Sequence, residues 1–475
     1  MNNATVESPK RKRTVVDQHG QSYELTGRVG EGGQGIVCTT NFPNVLVKVA
    51  RAATDEKRLS WTNRIRSLMR QPLEGLPIAH PLALITQPQP GYVMELMEGL
   101  SPIAELMQEA TDHLMSDGGI DGYVQTGGLR RRLQLLARLA RVLAELHARG
   151  LAYGDLSPAN VFVSKSLEYF EVWLIDADNI CSQSSDGGQG VYTPDYGAPE
   201  ILRKESGITT LSDSWSFAAL AYRLLTLAHP LKGDRILQGG AEFEEVALRG
   251  ELPWVDHPTD KSNALTTGLP RDMVLSAPLR CLFEQCFNAG LNSPGERPAL
   301  SEWADALEAA TGHCEKCSSC GSTFFYTSNH VCPFCDHVQE KGTTILIQEY
   351  RYMPPDMLRE GLSADIPEAL IRKECWTRTG ASMVLNLTPV KLKSLPLGTS
   401  LYADAVPLCA LQLGSDGLWI EPLGATRVSL QRASDDKVVP VARKQRLKSE
   451  SRSGTSFWLH LGAIVEEHVV WRFTW

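Results

Sequence analysis

The sequence predicts an α+β protein in which a strand-rich lobe is followed by a helical lobe, a small cysteine-rich module and an all-β region. Short apolar runs broken by glycines fill the first hundred residues, long leucine-rich helical patterns follow, and short apolar runs alternate with turn residues in the last third. The length of 475 residues, with 43% hydrophobic, allows two or three domains. We expect a disordered tail over residues 1–22, lobes over 23–100 and 101–312, the cysteine module over 313–340 and the all-β region over 341–475.

The net charge and the cysteine spacing indicate which partners and which cellular compartment to expect. The 47 basic and 55 acidic residues give a net charge of −8, so the phosphates of nucleic acid are repelled on average and nucleic acid is not an expected partner. No apolar run is long enough to span a bilayer and no leader pattern opens the chain, so we expect a cytoplasmic protein without membrane attachment. Of the eleven cysteines, five lie between Cys314 and Cys335 with metal-like spacing, which fits a reducing compartment.

The strand-rich lobe contains a glycine-rich turn and a lysine within an apolar strand. Gly30, Gly32, Gly35 and Val37 of "GEGGQGIV" fit the pattern G-x-G-x-x-G-x-V, in which backbone amides approach a triphosphate. The pattern alone is weak, because hairpins have similar glycines; a dinucleotide site would need a helix after them, and here a strand follows. That strand, "VLVKVA", carries Lys48. A lysine in an apolar strand is costly without an anionic partner, which favours phosphate binding over an outward-facing surface lysine.

Three hard oxygen ligands follow in the helical lobe. After a leucine-rich helical pattern over residues 129–148, "LAYGDLSPANVFV" contains Asp155 and Asn160, and Asp176 follows the apolar run "VWLI". A loop aspartate can accept the proton of an attacking hydroxyl, while an asparagine and a second aspartate are suitable ligands for Mg²⁺. Each residue alone is common in turns and caps. The ordered set, taken with Lys48, indicates phosphoryl transfer.

With these motifs the chain resembles the eukaryotic-type (Hanks-like) serine/threonine protein kinases of bacteria, in an atypical branch, over roughly residues 23–310. "TPDYGAPE" resembles the end of an activation segment, with Thr193 at the usual threonine. Asp213 of "SDSWSF" matches the aspartate that steadies the catalytic loop, and Arg297 of "GERPAL" matches the arginine that pairs with Glu200. The resemblance implies a bilobal kinase fold with an N-lobe and a C-lobe, ATP and Mg²⁺ as cofactors, and a protein substrate.

The resemblance also implies roles for individual residues. Asp155, Lys48, Asn160 and Asp176 would be catalytic, with Mg²⁺ bound by Asn160 and Asp176 and with Asp155 orienting the acceptor hydroxyl. Glu56 would be the helical carboxylate that pairs with Lys48. The implied ATP-binding residues, including Met94 as gatekeeper and a hinge over residues 95–97, are Gly30, Gly32, Gly35, Val37, Lys48, Glu56, Met94, Glu95, Met97, Asn160 and Asp176.

Five positions depart from the family's pattern. Tyr153 and Gly154 replace His-Arg, and Ser157 replaces a lysine that neutralises the transferred phosphate. Ala177 and Asp178 replace Phe-Gly after the metal-binding aspartate. The missing arginine predicts little dependence on activation-loop phosphorylation, and the missing lysine removes electrostatic stabilisation. Two alternatives therefore stay open: a pseudokinase scaffold that binds nucleotide and partners without turnover, and a small-molecule kinase.

The cysteine module has the spacing C-x-x-C, eleven residues, C-x-x-C. A glycine after Cys320 and a proline after Cys332 resemble the knuckles of a zinc ribbon, and two such pairs suit tetrahedral Zn²⁺. We expect Cys317, Cys320, Cys332 and Cys335 to hold a structural Zn²⁺, with Cys314 as a register alternative to Cys320. The few basic residues of the module favour this over nucleic-acid binding.

The combination of "IDAD", "PDYGAPE" and a cysteine ribbon also resembles one narrower group of kinase-like proteins. These proteins are encoded with a phosphatase and a von Willebrand A-type protein in tellurium-resistance-linked triads. The resemblance implies a co-encoded phosphatase or von Willebrand A-type protein as a partner. The all-β region shows no motif that we can attach to chemistry.

Overall fold

The computed structural model describes residues 13–31, 35–51, 54–95, 97–116, 119–182, 192–239, 241–327, 329–340, 342–360, 366–386, 389–394, 405–435 and 437–475. The chain forms two compact units. The first consists of Met1–Thr111, Arg138–Thr267 and Phe283–Leu300, and the second of Asp112–Ala137, Gly268–Leu282 and Ser301–Trp475. Within the described ranges, no helix is both long enough and apolar enough to cross a membrane.

The first unit begins with an antiparallel barrel. Its strands, in the order β1-β2-β3-β4-β6-β5 around the barrel, are β1 (Arg13–Asp17), β2 (Ser22–Glu31), β3 (Gly35–Thr40), β4 (Val45–Ala50), β5 (Ala83–Gln87) and β6 (Gly91–Glu95). Alternate side chains point inward, so that Val15, Val47 and Val93 share one buried core. Strand β1 closes the barrel because it pairs with both β2 and β5.

Strand β1 corrects the prediction of a disordered tail over residues 1–22. The prediction is wrong for residues 13–22, and residues 1–12 lie outside the described part of the chain. Val15 and Asp17 of β1 are buried. The Asp17 carboxylate accepts hydrogen bonds from two backbone N–H groups of the turn into β2, at 2.8 and 2.9 Å. Pairing on both edges stabilises a strand whose sequence is too polar to be predicted as a strand by its apolar pattern.

Helix α1 (Asp55–Leu68) begins at Thr54, whose side chain accepts a hydrogen bond from the third residue along the chain. The helix buries Trp61, Ile65 and Leu68, which follow each other at helical spacing. Leu59, also in α1, is 62% exposed. The buried face of α1 is therefore centred on a tryptophan.

Small sheets and helices of varied length make up the chain between the barrel and the cysteine module. The strands are β7 (Leu100–Pro102), β8 (Leu151–Ala152), β9 (Val161–Ser164), β10 (Val172–Leu174) and β11 (Cys181–Ser182), in sheets β10-β9-β7 and β11-β8. The helices are α2 (Ile103–Met115), α3 (Asp121–Gln125), α4 (Gly128–Ala148), α5 (Pro199–Leu202), α6 (Thr210–Thr226), α7 (Asp234–Leu237), α8 (Ala241–Leu248), α9 (Arg271–Val274), α10 (Ala277–Glu284), α11 (Gly290–Asn292) and α12 (Leu300–Gly312). Single-turn 3₁₀ helices occupy Ala177–Asn179, Pro194–Tyr196 and Pro294–Glu296, and a π-helical turn occupies Gln285–Ala289.

The second unit contains the cysteine module and two larger antiparallel sheets. The module has β12 (Cys314–Lys316) paired with β13 (Thr323–Phe325). The larger sheets, β15-β14-β23-β22-β19-β20 and β16-β17-β18-β21, consist of β14 (Ile345–Tyr352), β15 (Trp376–Leu385), β16 (Val390–Ser394), β17 (Val406–Gly414), β18 (Gly417–Pro422), β19 (Ser429–Arg432), β20 (Val438–Pro440), β21 (Gln445–Lys448), β22 (Ser456–His460) and β23 (His468–Thr474). Both sheets bury side chains in one core, including Leu411, Ile420 and Phe473.

Two features of the second unit were not predicted. Short helices α13 (Pro355–Arg359) and α14 (Glu368–Glu374) interrupt the strands of the C-terminal region, and a 3₁₀ turn occupies Ser449–Ser451. The unit also includes Asp112–Ala137 and Gly268–Leu282 of the expected helical lobe. Within it, the backbone N–H of Arg130 donates to the hydroxyl of Thr323 at 3.0 Å. The compact units thus do not follow the expected boundary at residue 312, and the division into domains stays a prediction.

Candidate active site

The loop between β8 and β9 holds Asp155 in a defined position. Asp155 Oδ1 accepts two hydrogen bonds from Thr193, one from its backbone N–H and one from its hydroxyl, each 2.9 Å long. The side-chain amide of Asn160 donates to the backbone carbonyl of Asp155 at 2.9 Å. Burial raises the pKa of the Asp155 carboxyl, and the hydrogen bonds from Thr193 act in the opposite direction. Asp155 is thus a fixed carboxylate with increased basicity.

Asp213, at the start of α6, fixes the backbone of the same loop, as the sequence predicted. Its two carboxylate oxygens accept hydrogen bonds from the N–H groups of Tyr153 at 2.6 Å and Gly154 at 2.9 Å. Gly154 has a φ of +93°, and a Cβ there would lie 2.9 Å from the carbonyl oxygen of Asn179. Glycine therefore suits this position because both the backbone conformation and the close packing disfavour a side chain. The hydroxyl of the buried Tyr153 donates to the carbonyl of Ile175, which links the loop to the segment that carries Asp176.

Lys48 meets carboxylates from the segment that follows β10. Its ammonium group forms ion pairs with Asp176 Oδ1 and with Asp178 Oδ2, the latter at 2.7 Å. Asp176 has a left-handed backbone conformation, with φ at +56°, and begins the 3₁₀ turn that carries Asp178. The hydroxyl of Tyr92 on β6 donates to Asp178 Oδ1 at 2.7 Å. Both ion-pair partners of Lys48 therefore come from one short segment of the chain.

Lys48, Asp155, Asn160 and Asp176 line a single cleft of about 490 Å³ in the first unit. Its lining includes the apolar side chains of Leu46, Phe162 and Trp173 together with Lys48 and the carboxylates of Asp155 and Asp176. Among the described residues that line it, Lys48 is the only one with a cationic side chain. Apolar lining side chains suit a planar base, and a lysine, carboxylates and an amide suit a phosphate chain with its metal.

Nearly all of the residues proposed for the nucleotide site from the sequence lie on this cleft. They are Gly30, Gly35, Val37, Lys48, Met94, Glu95, Met97, Asn160 and Asp176, joined there by Asp155. Gly35 lies so close to β4 that a Cβ would be 2.6 Å from the carbonyl oxygen of Val49. Gly32 and the middle residue of the expected hinge, Leu96, fall outside the described residues.

The expected pairing of Glu56 with Lys48 is wrong. Glu56 lies in the exposed first turn of α1, and the carboxylates that contact Lys48 are Asp176 and Asp178. The face that α1 buries presents Trp61, whose ring stacks on that of Tyr92 at 5.9 Å. An aromatic ring therefore occupies the side of the helix from which a carboxylate was expected.

The predicted ion pair between Arg297 and Glu200 is confirmed. Two guanidinium nitrogens of Arg297 donate to the two carboxylate oxygens of Glu200, at 2.8 and 2.7 Å, and both side chains are buried. Arg297 also donates to the backbone carbonyls of Gly290 and Leu211, at 2.9 and 3.0 Å. The pair ties the Ala-Pro-Glu segment to the helices that follow it.

Four of the five clustered cysteines converge in the second unit. The sulfurs of Cys317, Cys320, Cys332 and Cys335 all lie within 4.8 Å of one another. The Sγ–Sγ distance is 3.6 Å between Cys317 and Cys335 and 3.8 Å between Cys320 and Cys332. Four thiolates around a tetrahedral Zn²⁺, at about 2.3 Å from the ion, would lie about 3.8 Å apart, so the donor set fits this metal. Cys314 is outside the cluster and donates from its thiol to the carbonyl of Ala310.

The backbone of the module explains why these cysteines converge. In each C-x-x-C pair a backbone N–H further along the chain donates to the carbonyl of the first cysteine, from Gly321 to Cys317 at 3.1 Å and from Asp336 to Cys332 at 2.9 Å. Both donors have a positive φ, +75° at Gly321 and +57° at Asp336. Two equivalent turns therefore aim two pairs of sulfurs at one point.

Comparison with known proteins agrees with this geometry. A family model described as "Protein kinase domain" matches residues 23–302, and the chain belongs to that family. It is 36% identical to the serine/threonine-protein kinase pkn2 of Myxococcus xanthus over 110 residues, 22% of this chain and 13% of that protein. It is 26% identical to the serine/threonine-protein kinase PknD of Chlamydia caviae over 264 residues, 49% of this chain and 28% of the relative.

The matches to these relatives cover about half of this chain or less. The PknD of Chlamydia felis is 25% identical over 264 residues, again 49% of this chain and 28% of the relative. The chain thus spans less than a third of the length of each of these relatives. The fold, the cleft and the family match agree over the same region of the sequence.

The sequence reasoning missed two residues of the site. Asp178 was noted only as a replacement for glycine, and Tyr92 was not singled out. The signal in the sequence was the second acidic residue of "IDADNI", two positions after Asp176 and within reach of the same lysine. Tyr92 gave no comparable signal, because a tyrosine in an apolar strand is ordinary core.

Proposed function

We propose that this chain is an ATP- and Mg²⁺-dependent protein kinase that phosphorylates serine or threonine. The observation that carries the proposal is the convergence of Lys48, Asp155, Asn160 and Asp176 on one cleft. The names of the relatives support serine and threonine as acceptors. The Ala-Pro-Glu segment that Arg297 anchors is a feature of kinases with protein substrates, which favours a protein acceptor.

In the proposed reaction, the acceptor hydroxyl oxygen forms a bond to the γ-phosphorus of ATP, and the bond from that phosphorus to the β,γ-bridging oxygen breaks to release ADP. Asp155 orients the hydroxyl and accepts its proton. Lys48 binds the phosphate oxygens by charge. Asn160 and Asp176 would hold Mg²⁺, which neutralises phosphate charge when bound.

The proposed catalysis is unusual because position 157 is a serine and not a lysine. Ser157 is buried and lines the cleft, so the position offers no cation to the transferred phosphate. Lys48 and the bound metal would then supply the positive charge. Because phosphoryl transfer depends mainly on positioning and electrostatics, we expect a slow enzyme rather than an inactive one.

Transfer of label from γ-labelled ATP in the presence of Mg²⁺ tests the proposal. The wild-type chain, Asp155→Ala and Asp176→Ala would be compared, with Asp55→Ala as a control at an aspartate whose side chain is 99% exposed. Acid-stable label on serine or threonine of protein, present in wild type and Asp55→Ala and absent from the other two variants, is the expected result. Equal labelling by all four proteins contradicts the proposal.

The same experiment separates the two alternatives. A pseudokinase scaffold, favoured by Ser157, predicts that nucleotide raises the melting temperature of the wild-type chain while no label leaves ATP. A small-molecule kinase predicts label in the acid-soluble fraction and none on protein. The predicted partnership with a phosphatase or a von Willebrand A-type protein stays a prediction from sequence resemblance.

We further propose that the four-cysteine cluster holds a structural Zn²⁺. The tetrahedral spacing of the sulfurs and the two equivalent turns support this assignment. Four cysteine ligands leave no open coordination position, so the metal would stabilise the fold rather than act on a substrate.

A further inference from the structure

Lys48 has two carboxylate partners that differ in their access to the cleft. The side chain of Asp176 is 29% exposed, whereas that of Asp178 is 0% exposed, and Lys48 itself is 6% exposed. Asp176 lines the cleft and is available to a ligand. Asp178 contacts Lys48 but is not among the described residues that line the cleft.

The surroundings of Asp178 hold its carboxylate in place. One oxygen accepts a hydrogen bond from the hydroxyl of Tyr92 and the other contacts Lys48, both at 2.7 Å. Tyr92 is fully buried, and burial together with the Asp178 carboxylate raises the pKa of its hydroxyl well above the ordinary value. Tyr92 therefore stays protonated and remains a donor. The stack of Trp61 on its ring fixes its orientation.

Binding of a metal at Asp176 would draw part of the charge of that carboxylate away from Lys48, which contacts only its Oδ1. A buried ammonium group is costly without anionic partners, and the phosphates that Lys48 would contact arrive only with the nucleotide, so a partner that the metal does not occupy is required to hold Lys48 in position. Asp178 meets this requirement, and it lies two residues beyond Asp176 in the same 3₁₀ turn. One short segment thus provides both the proposed metal ligand and the anchor of the lysine.

We propose that Asp178 is the positioning residue for Lys48, holding its ammonium group directed at the phosphates while Asp176 binds the metal. The inference rests on the proposed kinase function and adds to it a residue that no motif assigns. It also makes the position of Lys48 independent of any carboxylate on α1.

The test compares Asp178→Asn with wild type, since the substitution keeps the shape but turns an N–H of the new amide, or an uncharged oxygen, toward Lys48. We expect kcat/KM for ATP to fall by about 100-fold, the effect of a misplaced catalytic group. Tyr92→Phe, which removes one of the two contacts of Asp178, should give a smaller loss in the same direction. Asp55→Asn, the same exchange at an exposed site, should match wild type.

A double-mutant cycle with Lys48→Met separates positioning from a merely structural role. If Asp178 acts through Lys48, Asp178→Asn weakens nucleotide binding in the wild-type background, by roughly tenfold, and has no further effect in the Lys48→Met background. Binding is read from the rise in melting temperature with Mg²⁺ and ATP. An equal loss in both backgrounds overturns the inference, and so does a wild-type kcat/KM for Asp178→Asn.

Failure of the proposed function gives a different result. A wild-type chain that binds nucleotide but transfers no phosphate contradicts the proposed function, and the binding cycle then still decides the role of Asp178. A loss of activity in Glu56→Gln with none in Asp178→Asn would assign the role to α1 instead. A wild-type chain that does not bind Mg²⁺ and ATP overturns both proposals.

Discussion

Thr193 donates two hydrogen bonds to one oxygen of Asp155, from its backbone N–H and from its hydroxyl, each at 2.9 Å. The contact joins two segments that are 38 residues apart in sequence. It fixes the orientation of the carboxylate that we propose as the acceptor of the substrate proton. The activation segment and the catalytic loop are therefore coupled through one side chain.

The hydroxyl of Thr193 should contribute to the rate. Thr193→Val keeps the backbone donor and the shape but removes the hydroxyl, and we expect kcat to fall by about tenfold, corresponding to about 1.4 kcal/mol. Thr193→Ser should retain the rate. Thr62→Val, which removes a hydroxyl that donates to a carbonyl within α1, is the matched control. A wild-type kcat for Thr193→Val would show that the contact does not orient Asp155.

The raised pKa of Asp155 predicts how the stability of the fold depends on pH. Because burial raises the pKa of the folded chain above that of the unfolded chain, the folded state binds the proton more tightly, and stability is lost as the pH rises through the folded-state pKa. At neutral pH the ionised carboxylate thus destabilises the fold. We expect Asp155→Asn to raise the free energy of unfolding at neutral pH, with a smaller gain at acidic pH, as measured by urea titration.

The same carboxylate should set the acid limb of the pH–rate profile. As the general base, Asp155 must be ionised, so kcat/KM should fall as the pH is lowered through a pKa above the ordinary aspartate value of 3.8. Lower stability of Asp155→Asn at neutral pH, or an acid limb below the ordinary value, would contradict this description of the site.

The buried pair of Arg297 and Glu200 should be important for folding. Arg297→Met leaves a buried carboxylate without its partner and should lower the free energy of unfolding by about 3–5 kcal/mol. The double variant with Glu200→Gln should recover part of that loss. The exposed pair of Arg249 and Glu245 offers a control, because Arg249→Met should cost less than about 1 kcal/mol. Equal losses for the two arginine variants in denaturant titrations would refute the argument.

The cysteine cluster should bind zinc through four specific sulfurs. Atomic emission should find one zinc ion per chain, and Cys317→Ser should lose it and melt at a lower temperature because metal binding is coupled to folding. Cys314→Ser should keep the metal, since Cys314 bonds to Ala310 outside the cluster. Retention of zinc by Cys317→Ser together with its loss from Cys314→Ser would mean that the register is wrong.

The parts of the site that lie in local motifs could be predicted from the sequence. Gly30 and Gly35, Lys48 within β4 and the oxygen ligands of the loops each have a chemical reason for their position, and the structure brings them to one cleft. The two C-x-x-C pairs likewise carry their geometry in their spacing. Arg297 and Glu200 were paired through a family pattern, since they are 97 residues apart and no local rule joins them.

The predictions that were wrong, and the residues that were missed, depend on tertiary packing. Glu56 was chosen because it is the only glutamate between Lys48 and Glu74. The rotation of α1 is set by the burial of Trp61, which leaves Glu56 in solvent. The carboxylate that replaces it, Asp178, is 130 residues from Lys48. Strand β1 was missed because its stability comes from two neighbouring strands rather than from its own sequence.

The central claim is that Asp155 serves transfer of phosphate and not the binding of nucleotide. The most direct measurement is the initial rate of label transfer from saturating Mg²⁺ and γ-labelled ATP to protein, in wild type and in Asp155→Asn. The account predicts a rate at least about 100-fold lower in the variant, with an unchanged nucleotide-induced rise in melting temperature. A variant that transfers phosphate at the wild-type rate would contradict it.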